Sequence, residues 1–193
     1  MGSAFTYVNE ITAQAAAVSG VEINAWITVG SPNAATVGWS AWFETMSAWE
    51  AATDKLAADT LYNKAIEGGD SLFIGSVTDR LINVITPLST DAPATYVGTV
   101  NAVAAAGHFG DAINHGLEIA AAATEISGLN TLFGIGSTGP YGGIGWLTGA
   151  PDIAAFEAGR NKINADPKFL ELVDSGGKFY APGAEQTLYR RLV

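Results

Sequence analysis

Apolar positions along this chain follow two rhythms in turn. From Glu22 to Val29 and from Thr36 to Phe43 the pattern is strand-like about Ser31-Pro32-Asn33, and it recurs from Leu129 to Ile135 and Tyr141 to Leu147 about Thr138-Gly139-Pro140. Each pair predicts a β-hairpin. The spacing then turns helical, with Met46, Trp49, Thr53 and Leu56 in one place and Ile153, Phe156, Arg160 and Ile163 in the other. Thr45 and Asp152 are N-cap types, Ser47 with Glu50 resembles a capping box, and Pro151 suits a first helical turn. A second short helix is predicted after each, capped by Asp59 and Asp166, with Pro167 in its first turn and Gly68-Gly69 or Gly176-Gly177 at its end. Extended runs follow from Leu72 to Ile85 and from Phe179 to Val193, with a bulge or kink expected at Gly75 and at Pro182-Gly183.

The recurrence is residue by residue. From Val37 to Ile85 every position has a counterpart 107 residues on, with identities that include Gly38/Gly145, Trp39/Trp146, Ala48/Ala155, Glu50/Glu157, Lys55/Lys162, Asp59/Asp166, Gly69/Gly176 and Leu81/Leu188. An internal duplication is the reading. The second half adds a strand from Tyr96 to Ala104 and a helix from about Asp111 to Ile126, giving the order βαββαβ of a ferredoxin-like unit. The first half is too short for both elements, because a parallel crossover needs a dozen or more residues. Thr6-Tyr7-Val8 matches Thr95-Tyr96-Val97 and favours a strand, whereas Glu10-Ile11 and Ser19-Gly20 match Glu118-Ile119 and Ser127-Gly128 and favour a helix. A retained strand with a truncated or missing helix is the favoured expectation. The domains expected are 1–87, a first repeat shortened at its N-terminal strand or helix, a linker at 88–94, and a second repeat at 95–193.

Composition narrows the function classes. Nine basic against nineteen acidic residues give a formal charge of −10, which repels phosphate backbones, so nucleic acid is not an expected partner. No cysteine is present, which removes disulfides, thiol nucleophiles and thiolate metal sites. The start lacks the basic and apolar regions of a signal peptide, and apolar runs stop well short of a membrane span. A cytoplasmic protein without membrane contact is expected.

Ala58-Asp59-Thr60-Leu61-Tyr62 and Ala165-Asp166-Pro167-Lys168-Phe169, each breaking a second helix that ends in glycine, resemble the dimeric α+β barrel superfamily over nearly the whole chain. That group includes antibiotic-biosynthesis monooxygenase-like and NIPSNAP-like proteins. The resemblance implies an α+β fold of two tandem ferredoxin-like repeats whose antiparallel sheets pair into an intrachain barrel. It also implies a monomeric, fused pseudo-dimer or a weak homodimer. It carries no catalytic residue over, since the group spans cofactor-independent oxygenases, lyases, isomerases, haem enzymes and proteins of no known activity.

Candidate chemistry is sparse. Gly134-Ile135-Gly136-Ser137-Thr138-Gly139 spells a dinucleotide fingerprint, but Pro140 follows where a helix N-terminus is needed, so it reads as a glycine-rich turn. Gly134 and Gly136, with Gly142, Gly143, Gly145 and Gly149, are expected to leave space over the second sheet. Strand alternation puts Asn24, Trp26 and Thr28 on one face, and with Trp39, Trp42 and Tyr141 they form the expected apolar pocket; plain core packing explains the tryptophans too. His108 and His115 are the candidate proton carriers, with Asp111 and Glu118 on the same helical face. One histidine with two carboxylates is an incomplete metal set, and a solvated helix face explains it, so no metal and no cofactor are expected. Two functions follow: a small-molecule protein, resembling cofactor-independent monooxygenases, for an apolar or aromatic compound; or a non-catalytic binding and assembly module.

Overall fold

The computed structural model describes residues 2–30, 35–88 and 94–193; the expected turn Ser31-Pro32-Asn33 and residues 89–93 of the expected linker lie outside them. The fold is α+β, and the strand pairings of the described residues are antiparallel. The chain divides into two compact units, the first made of Met1–Thr28, Pro32–Thr78 and Arg191–Val193, the second of Val29–Ser31 and Asp79–Arg190.

The first unit opens with helix α1, Gly2–Ser19. This corrects the expected N-terminal strand. Val8, Ile11, Thr12, Ala15 and Ser19 are its buried residues, and their spacing of three and four suits only a helix, so packing overrides the β-forming trio Thr6-Tyr7-Val8. Hairpin β1 (Ile23–Val29) and β2 (Val37–Ala41) follows, with Ala25 opposite Trp39 and Trp26 opposite Gly38. Helices α2 (Met46–Ala58) and α3 (Thr60–Gly69) come next. Thr45 and Asp59 cap them, each side chain accepting a backbone N–H three residues on; the expected Ser47/Glu50 box is replaced by Thr45. The chain end returns beside β1, where Ala25 N donates to the Val193 carbonyl and accepts from Leu192 N through its own.

The second unit holds β3 (Ile82–Val84), β4 (Tyr96–Val103), α4 (Phe109–Ser127), β5 (Thr131–Gly136), β6 (Gly143–Ala150), α5 (Ile153–Ala165), α6 (Pro167–Ser175) and β7 (Glu185–Arg191). Its strands run β7-β4-β6-β5-β3, and the first four in that order make the ferredoxin-like sheet. Asp152 and Asp166 cap α5 and α6, with Pro167 in the first turn as expected, whereas Pro151 stands one residue before the cap. Of the expected run Leu72–Ile85 only Ile82–Val84 is strand, because Gly75 turns the chain at φ +98. The glycines of the second hairpin do not leave space. Added side chains at Gly134, Gly145 and Gly149 would meet Ile82, Asn101 and Ala94 within about 3 Å, so the neighbouring strands and the chain leading into β4 occupy it.

In the second unit helix and hairpin meet through matched sizes. Phe133 on β5 is fully buried against Gly116 of α4, where any side chain would overlap its ring. In the first unit Val8 of α1 and Ala25 of β1 are both fully buried.

Candidate functional site

In the second unit α4 presents His115, which is buried. Its Nε2 lies 2.8 Å from the Leu172 carbonyl of α6, an acceptor, so Nε2 carries the proton. Nδ1 is then the lone-pair nitrogen, and the Tyr180 hydroxyl donates to it at 2.6 Å. Rings enclose this pair. Phe179 and Tyr180 lie 5.6 and 5.5 Å from the imidazole, and Trp146 stands edge-on to Tyr180 at 5.8 Å while its Nε1 donates to the Gly116 carbonyl.

Gly176, after α6, passes so close that a Cβ there would overlap the imidazole. Its φ of −86 suits any residue, so glycine is required by space rather than by backbone conformation. Gly176→Ala is expected to cost about 1–3 kcal/mol in chemical denaturation and to displace His115 from the Leu172 carbonyl. A stability matching the parent chain would show that α6 yields freely.

Burial, with the negative charge of Glu118 adding to it, pushes the Tyr180 phenol up to about 12 from an ordinary 10. At neutral pH the hydroxyl is therefore a proton donor. Because the folded value lies above the unfolded one, this contribution to stability is complete below pH 10 and is lost as pH rises towards 12. Alkaline absorbance titration is expected to show a last tyrosine phase near pH 12 that Tyr180→Phe removes.

The other sequence-derived candidates have different partners. His108 is half-exposed, pairs with Asp111 at 3.0 Å, and contacts the far partner of His115, Phe179, at 5.7 Å. Among the described residues no group of three or more His, Asp or Glu could hold a metal. Tyr141 is fully exposed and stacks on Phe109. In the first unit Asn24 and Thr28 are buried on the face of β1 that also carries Trp26, whose Nε1 donates to Ser40 Oγ at 2.8 Å. Asn24 Oδ1 has no hydrogen-bond partner. Trp39 lies on the opposite face with Ala25, its Nε1 bonding Thr12 Oγ1 of α1 at 2.8 Å, and Trp42 is half-exposed.

Around Trp39 the first unit has its own cluster. Tyr7 of α1 donates to the Ala65 carbonyl of α3 at 3.1 Å and contacts Phe73 at 5.8 Å. Trp39 stands edge-on to Phe73 at 6.5 Å, and a Cβ on Gly69 would overlap the Tyr7 ring. A groove of about 220 Å³ opens beside Tyr7, lined by Glu10, Ile11, Gln14, Ala65 and Gly68. Sequence reading missed Phe73 and Tyr7 as site residues; the 107-residue offset, which pairs Phe73 with Tyr180, was the signal that could have found Phe73.

The fold is α+β, and solved structures share it over nearly the whole chain. The solved structures it resembles include a candidate monooxygenase from Fusobacterium nucleatum, at 10% identity and TM-score 0.69 over 100% of this chain and 86% of that one. Another is a candidate monooxygenase from Lactobacillus acidophilus, at 9% and 0.62 over 100% and 87%. An anthrone oxidase-like protein matches at 13% and 0.61 over 99% and 86%. At these identities the likeness is one of fold. No protein-family model and no curated protein matches the chain. Among the described residues no helix is long and apolar enough to cross a membrane.

Proposed function

We propose that this chain binds a flat apolar aromatic compound and oxidises it with O₂ without a cofactor, in the manner of a monooxygenase, at the His115–Tyr180 pair of the second unit. The observation that carries the reading is the buried imidazole whose Nδ1 lone pair faces a phenol kept protonated by its surroundings. A ketone such as anthrone, taken from the name of one fold neighbour, has an acidic methylene and a carbonyl that becomes an enolate oxygen. Tyr180 would swing its hydroxyl from Nδ1 to that oxygen, and Nδ1 would take the carbon-bound proton. The electron-rich enolate then reduces O₂; one anthrone and one O₂ give one anthraquinone and one water. Trp146, Phe179 and Phe133 supply the apolar surround, in which the charge on the enolate is held by Tyr180 rather than by water.

Oxygen uptake by the purified chain with anthrone tests this. Uptake equimolar with anthraquinone formed, above the rate in buffer, is expected; a rate equal to buffer for anthrone and for hydroxylated relatives would overturn it. A non-catalytic assembly module is the competing reading, favoured by the exposure of Trp42 and Met46 in the first unit. It predicts concentration-dependent oligomers in sedimentation and no uptake.

A further inference from the structure

The two clusters correspond position by position. Tyr7 and His115 each bond a carbonyl of the following short helix, Ala65 and Leu172, which stand 107 residues apart. Each ring closes over a glycine, Gly69 or Gly176, that no side chain could replace without overlap. Phe73 and Tyr180, also 107 apart, contact those rings and receive the edge of Trp39 and Trp146. The indoles differ in one instructive respect. Trp146 Nε1 reaches the Gly116 carbonyl directly, whereas Trp39 Nε1 bonds Thr12 Oγ1, and that hydroxyl passes its own proton to the Val8 carbonyl at 2.6 Å. Thr12 stands where the second unit has Ala120, so the first unit relays through a side chain what the second does in one bond.

We infer that the chain carries two versions of one site, and that the first, built on Tyr7, Trp39, Gly69 and Phe73, binds the same class of flat aromatic ligand without turning it over. It lacks the proton chemistry for a specific reason. Phe73 has no hydroxyl to hold an oxyanion, and the Tyr7 hydroxyl is committed to the Ala65 carbonyl and offers no basic nitrogen. What it offers a ligand is the groove beside Tyr7, which opens between α1 and α3 with the Tyr7 ring as its aromatic lining and Ile11 and Ala65 as its apolar one. The inference rests on the proposed oxidation only for the class of ligand.

Equilibrium binding of anthraquinone, followed by tryptophan fluorescence and by calorimetry, is the test. Two equivalents per chain are expected. Gly68→Leu fills the groove at a helical position with open space around it, so it is expected to remove one equivalent and leave oxygen uptake unchanged. The exchange His115→Tyr with Tyr180→Phe copies the first cluster into the second; it should keep both equivalents and the parent thermal midpoint while abolishing uptake. Adding Tyr7→His with Phe73→Tyr to that chain should restore uptake from the first unit. One equivalent in the parent chain, lost on His115→Tyr with Tyr180→Phe and untouched by Gly68→Leu, would overturn the inference and leave the proposed oxidation standing. Two equivalents with no uptake by the parent would do the reverse.

Discussion

Phe133→Ala is expected to lower the free energy of unfolding by about 3–5 kcal/mol, read from urea midpoints at constant slope. The ring is fully buried, lies 5.2 Å from Trp146, and occupies the space that any side chain on Gly116 would claim. Its removal opens a cavity between α4 and β5 that a rigid helix closes only in part. Gly116→Val alone is also expected to destabilise, by about 1–3 kcal/mol, since the valine overlaps the phenyl ring. The double variant should be more stable than the sum of its parts by about 1–3 kcal/mol, because the valine on α4 fills part of the space that the phenyl ring vacates. Simply additive losses would show that the valine does not reach the space left by the ring.

His115→Gln is expected to lower kcat for oxygen uptake about 10²–10⁴-fold while leaving the circular dichroism of the folded chain intact. Glutamine can still donate to the Leu172 carbonyl, so the tie between α4 and α6 survives, but it has no lone-pair nitrogen to take a proton. The matched control is His108→Gln. His108 is half-exposed and held by Asp111, so its replacement should leave the rate unchanged. Equal losses in both variants, or a full rate in His115→Gln, would remove His115 from the role of base. A rise in KM at constant kcat would instead make it a binding contact.

Hairpins, helix pairs and their caps were legible in the sequence because each is written in neighbouring residues. Thr45, Asp59, Asp152 and Asp166 all cap as their spacing predicts. The N-terminal segment was misread because Thr6-Tyr7-Val8 favours a strand locally, and only the helix-spaced burial of Val8, Ile11, Thr12 and Ala15 decides against it. The glycines of the second hairpin looked like a hollow because a sequence shows a missing side chain without showing what approaches. At Gly134 the neighbour is Ile82, more than fifty residues earlier in the chain.

The candidate site divides in the same way. His115 was singled out as one of two histidines, and its helix was located from its periodicity. Its partners were not, since Leu172, Gly176 and Tyr180 come to it through the return of α6 and the chain beyond. Trp39 and Trp26 are neighbours in pattern, yet the two-residue period of a strand and the register of β1 on β2 put them on opposite faces.

Local spacing and self-comparison therefore carried the order and type of most elements, the α+β class and the correspondence of positions 107 apart. Only the tertiary structure decided that the chain begins with a helix, which cavities its own residues occupy, and which of two matched clusters holds an imidazole against a phenol. Those outcomes depend on which distant atoms compete for one volume, and contact across the chain leaves no mark in local pattern.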